Sequence, residues 1–97
     1  MLAHVVLFKT KPGVAANDPR VLALLGDLDQ LPREIPEIKV WKHGANITPD
    51  PQAWDYAVYA EFESEAALQV YYDNAVHADI VRRWEEIGML LFSDIKV

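Results

Sequence analysis

The sequence predicts an α+β domain in which four strands form one antiparallel sheet and helices cover one side of it. Three observations carry that expectation. Four short stretches are rich in β-branched and aromatic residues. Apolar residues recur at helical spacing between the first and second stretches, and again between the third and fourth. Proline and glycine punctuate the joins, at Pro12-Gly13, Pro32, Gly44 and Gly88. At 97 residues the chain holds one core, so residues 1–97 are read as a single domain without repeats or linkers.

Leu2 to Thr10 is the first strand, and Lys11-Pro12-Gly13 turns the chain at its end. Asp18-Pro19 then opens a helix, since Asp18 can cap it and Pro19 stands where a missing N–H costs nothing. Val21, Leu24, Leu25, Leu28 and Leu31 form its apolar stripe, with Arg20, Asp27 and Gln30 outside. Pro32 is expected to end it, and Ile35-Pro36 to lead on in extended form. The second strand is expected over Ile38 to His43, closed by Gly44. A polar loop around Thr48-Pro49-Asp50-Pro51 precedes a third strand, Trp54 to Phe62.

Ser64 caps the next helix and Glu65 suits its positive end; its inner stripe is Leu68, Tyr71, Tyr72 and Ala75. A further helical stretch from about Ala78 to Ile87 carries Ile80, Val81, Trp84 and Ile87, and Gly88 stops it. Met89 to Val97 is the last strand. The order is βαββαβ, the ferredoxin-like arrangement, and right-handed crossovers place strands 1 and 3 at the centre of the sheet.

A sheet with one wet face should alternate apolar and polar residues. Here both sides are apolar. Strand 1 shows Leu2, His4, Val6 and Phe8 on one side and Ala3, Val5 and Leu7 on the other. Strand 3 sets Trp54, Tyr56, Val58, Ala60 and Phe62 against Ala57 and Tyr59, and strand 4 sets Met89, Leu91 and Ile95 against Leu90 and Phe92. The helices can cover only one side, so the other is expected to bury itself against a second copy of the chain. A domain this short buries only about 65% of its unfolded surface, and self-association would add to that.

The formal charge of −6 argues against nucleic acid as a partner, and no cluster of Lys and Arg opposes that. There is no cysteine, hence no disulfide, thiolate metal site or cysteine nucleophile. The apolar start lacks the basic residues of a signal peptide, and no run approaches the roughly 20 apolar residues of a membrane span. The expectation is a soluble, cytoplasmic protein.

The three histidines, His4, His43 and His77, have no metal-ligand spacing, so no metal is expected. His77 opens the stripe that continues through Ile80, Val81 and Trp84, and so faces inward. Such a histidine either satisfies a buried polar group or lines a pocket as an acid or base. His4 is the lone polar residue on its side of strand 1, and Tyr56 on strand 3 is its expected polar partner; the alternative is a structural hydrogen bond. Tyr71 shares the inner helix face with His77 and is either a core residue or a hydroxyl donor to the same space. Ser64 and Ser93 lack a nucleophile's surroundings, the glycines form no phosphate loop, and Glu85-Glu86 reads as a solvated helix face.

Four segments together resemble the stress-responsive dimeric A/B barrel (Dabb) family. They are His4-Val5-Val6-Leu7-Phe8-Lys9 with Lys11-Pro12-Gly13; Ile35-Pro36-Glu37-Ile38 with Gly44-Ala45-Asn46; Phe62-Glu63-Ser64 through Leu68 and Tyr71 to His77; and Phe92-Ser93-Asp94-Ile95. The resemblance implies a homodimer with facing sheets, and a pocket in each protomer between sheet and helices. Plant polyketide cyclases similar to this family work without metal or organic cofactor, using a Tyr and a His as acid–base pair. That implies catalytic roles for Tyr71 and His77, and substrate-binding roles for His4 and Tyr56. The chain departs from the family's Tyr-x-x-His-Pro-x-His stretch, carrying Asn74-Ala75 before His77, and has Tyr56 where the cyclases have His. Three functions follow as expectations: cyclase- or lyase-like acid–base chemistry on a small aromatic or polyketide-like ligand, a non-catalytic stress-associated dimer, or a cofactor-free monooxygenase.

Overall fold

The computed structural model describes residues 1–97. It contains β1 (Leu2–Thr10), α1 (Pro19–Glu34), β2 (Val40–Ala45), β3 (Tyr56–Phe62), α2 (Glu65–Asp73), α3 (Ala75–Ile87) and β4 (Gly88–Lys96). All pairings are antiparallel and the strand order is β2-β3-β1-β4, with β1 and β3 central as the crossover rule requires. None of the helices is long and apolar enough to cross a membrane.

Several element edges differ from the sequence expectation, β4 by one residue at each end, and individual hydrogen bonds account for three of the larger shifts. Helix α1 does not stop at Pro32 but runs through it to Glu34. Proline has no N–H to give the carbonyl of Leu28, one turn back. The indole Nε1–H of Trp41 supplies that bond instead, at 2.9 Å, so α1 keeps its last turn and β2 is tied to it. Helix α3 begins at Ala75, ahead of the expected Ala78, because Asn74 caps two helices at once. Its N–H donates to the Tyr71 carbonyl, while its Oδ1 accepts from the amides of Val76 and His77. Strand β3 starts at Tyr56, because Asp55 is occupied elsewhere: its N–H goes to Phe8 O and its carboxylate accepts from Thr10 N and Oγ1. Strand β2 lies two residues later than expected, over Val40–Ala45.

The core lies between the sheet and the helices. Leu24, Leu28 and Leu31 of α1, Ile80, Trp84 and Ile87 of α3, and Phe8, Ala60 and Phe62 of the central strands fill it. Gly88, which joins α3 to β4, is a matter of space: an added Cβ would lie 2.2 Å from the Lys9 carbonyl and 2.6 Å from the Phe8 ring.

The register places His4, Val6 and Phe8 opposite Asp94, Phe92 and Leu90. The alternate residues of the same two strands, Val5, Leu7, Leu91 and Ile95 among them, turn to the open face. There Leu7, Met89, Leu91 and Ile95 are 37%, 58%, 47% and 51% exposed. This is the second apolar face that the strand pattern requires.

Candidate functional site

A cavity of about 200 Å³ lies between the helices and the β1–β4 half of the sheet. Val6, Val58, Ile80, Val81, Trp84, Leu90 and Phe92 make its walls largely apolar, and His4, Tyr71, Tyr72 and His77 bring the polar atoms. Three of the four residues singled out in the sequence are therefore neighbours. Their placement follows from local structure. Even-numbered residues of β1 face the helices, Tyr71 lies in the last turn of α2, and the Asn74 cap aims the first turn of α3, which carries His77, at the same space.

The rings of Tyr71 and His77 lie against each other, with centroids 3.9 Å apart. Nδ1 of His77 has no partner within ordinary hydrogen-bond distance. Nδ1 is the one sealed from solvent, so Nε2 is the atom a ligand can reach. Burial pulls the His77 pKa down to about 4; the nearby His4 adds to this, and the Tyr72 backbone carbonyl opposes it. His77 is thus a neutral imidazole at physiological pH, able to accept a proton. Tyr71 is buried, and this burial, with the Asp94 charge, raises its pKa and keeps the phenol protonated.

His4 belongs to a different set of hydrogen bonds. Its Nδ1–H donates to Asp94 Oδ1 at 2.7 Å, and the Tyr72 hydroxyl donates to Asp94 Oδ2 at 2.5 Å while lying 3.1 Å from His4 Nδ1. Burial lowers the His4 pKa, and Asp94 works against it. Tyr72 is raised, by burial first and by its bond to Asp94 second.

Tyr56 corrects the expected pairing. It stands opposite Phe8, not His4, whose partner on β3 is Ala60. Side-chain parity gives the face of a strand but not the position along it, and four residues separate His4 from Phe8. The Tyr56 hydroxyl instead donates to His43 Nδ1 at 2.7 Å, and His43 Nε2–H donates to Asp29 Oδ1 at 2.7 Å. This Asp29–His43–Tyr56 chain ties α1 to β2 and β3, and none of the three lines the cavity. Sequence reasoning gave no role to Asp94, Tyr72 or His43. The signal for Asp94 was present: it shares strand parity with Leu90 and Phe92, a carboxylate on an otherwise apolar side.

The stress responsive A/B barrel domain model matches residues 2–94. An uncharacterised protein of Streptomyces coelicolor is 32% identical over 94 residues, 97% of each chain. Among solved structures, a dimeric ferredoxin-like protein of unknown function from Thermobifida fusca superposes with a TM-score of 0.85 at 23% identity, over 99% of this chain and 90% of that one. The hydroxynitrile lyase of Passiflora edulis gives 0.78 at 18% identity, over 98% and 93% of the two chains. An antibiotic biosynthesis monooxygenase gives 0.77 at 17%, over 100% and 98%. The likeness to these three structures extends to the fold alone. The family match over nearly the whole length, together with the Streptomyces relative, shows that this chain belongs to the stress-responsive A/B barrel (Dabb) domain family.

Proposed function

We propose that the protein works as a homodimer whose cavities bind a small aromatic or polyketide-like ligand. His77 serves there as general base and Tyr71 as hydrogen-bond donor, with no cofactor taking part. One observation carries this reading: the imidazole of His77, with its Nδ1 unpartnered, and the phenol of Tyr71 stand side by side in a largely apolar cavity. Against a ligand with an acidic C–H beside a carbonyl, His77 Nε2 takes the proton and the Tyr71 O–H bonds the enolate oxygen that results. His4, at the cavity wall, is placed to bind a ligand oxygen. The relation to polyketide cyclases rests on the Tyr71-to-His77 stretch, and a lyase on the same fold is consistent with base chemistry in such a cavity. For Tyr56 the cyclase comparison gives a substrate-binding role, but its engagement with His43 favours a structural one.

The test is proton exchange at the α-carbon of small aromatic ketones, followed by NMR in D₂O. His77→Ala should abolish it and Tyr71→Phe should lower kcat/KM by about 100-fold or more, with the dimer intact. Wild-type kcat/KM in His77→Ala would refute the mechanism. The non-catalytic reading draws on the tight Tyr71–His77 stack within the core. It expects His77→Ala to lower the Tm, and no aromatic ligand to raise that of the wild type. Oxygen uptake with a quinol would point to the monooxygenase instead.

A further inference from the structure

Two hollows on the surface adjoin the cavity. One, of about 400 Å³, is bordered by Tyr72, His77, Ala78, Val81, Arg82 and Glu85. The other, of about 430 Å³, runs past Leu2, Gln69, Asp94 and Lys96. Tyr72 is the single residue that lines the cavity and both hollows, so its side chain is the partition between inside and outside. Its hydroxyl is fastened by the short bond to Asp94 and the contact with His4. Its ring is only partly buried, one residue short of the end of α2. An outward rotation of this one side chain would break the latch and remove the residue that the cavity and both hollows share.

We infer that Tyr72 is the gate and size-determining residue of the cavity, admitting small uncharged aromatic molecules past its latch to Asp94. The inference rests on the ligand-binding reading above. Charge selection follows from the approach. Asp94 holds the latch and borders one opening, and Glu85 borders the other, so each presents a carboxylate to an incoming molecule. Of the two cations there, Arg82 is already held by Asp79 and Glu86, while Lys96 shares its hollow with the carboxylates Glu65 and Asp94. Carboxylates therefore outnumber unpaired cations along the approach, and an anion meets net repulsion on the way in. Breaking a hydrogen bond to a carboxylate sets the barrier to exchange.

Stopped-flow quenching of tryptophan fluorescence, with Trp84 in the cavity wall as the reporter, tests this. The probes are 2-naphthol, its anionic analogue 2-naphthoate, and the bulkier neutral 1-pyrenemethanol. The wild type should bind 2-naphthol and reject the other two. Tyr72→Phe should speed both association and dissociation about tenfold with little change in Kd, and Asp94→Asn should do the same without altering the ring. Tyr72→Ala should admit 1-pyrenemethanol. Unchanged rates in both latch variants, or continued exclusion of 1-pyrenemethanol by Tyr72→Ala, would overturn the gate while leaving the ligand-binding reading in place. Preferred binding of 2-naphthoate would overturn the charge selection. Failure of the wild type to bind 2-naphthol would overturn the ligand-binding reading and the gate with it.

Discussion

His77 illustrates how burial sets the chemistry of one residue. Its pKa is about 4 in the folded chain against 6.5 for the free side chain, so the unfolded chain binds the proton more readily. Stability is therefore unaffected by this group above about pH 6.5, and falls as the pH drops from there toward 4. The loss should be on the order of 2 kcal/mol once partial solvent screening is counted. Urea midpoints at pH 7 and pH 4.5 check this: the drop should shrink in His77→Leu relative to wild type, and an equal drop in both would exclude His77 as its source. The inward direction of His77 and Tyr71 was legible from helical spacing, and that of His4 from strand alternation. The partners of these residues were not. A hydrogen bond such as His4 to Asp94 joins positions 90 apart in the chain, and only strand register brings them together.

At the scale of elements, type and order were legible throughout, because each stretch combined one periodicity with clear punctuation. The edges were less so, because they are decided by single distant contacts. Pro32 is a sound stop signal unless another group serves the carbonyl it abandons, as Trp41 does across 13 positions. The start of α3 depends on one Asn74 side chain, and the start of β3 on where Asp55 finds its bonds. Gly88 was read as a helix stop, whereas the fold needs it for close approach between α3, β4 and the end of β1. Gly88→Ala should therefore cost about 2 kcal/mol or more, since the Lys9 carbonyl in its way belongs to a paired strand and cannot easily yield. Thermal unfolding measures it, and an unchanged Tm would show that the β1–β4 pair relaxes freely.

For the whole molecule the decisive feature is the open sheet face. The strand pattern showed that two faces needed cover, and the fold places all three helices on one of them. Each 100 Å² of apolar surface removed from water contributes about 2.5 kcal/mol before the cost of association is subtracted, and this is the driving force for the proposed pairing of two open faces. Leu91→Asp, at the middle of the β4 row, should shift the protein from dimer to monomer in light scattering coupled to size-exclusion chromatography. A wild type already monomeric at micromolar concentration would remove the basis for the dimer.

Strands β1 and β4 serve two purposes with alternate residues. His4 and Phe92 line the cavity and Asp94 holds the Tyr72 hydroxyl beside it, while Val5, Leu7 and Leu91 form the outer row. Anything that stiffens or bends this pair of strands is felt on both sides at once. The proposed occupancy inside and the proposed self-association outside would then be linked reactions. Whatever factor one contributes to the other's equilibrium, favourable or unfavourable, must be returned in full.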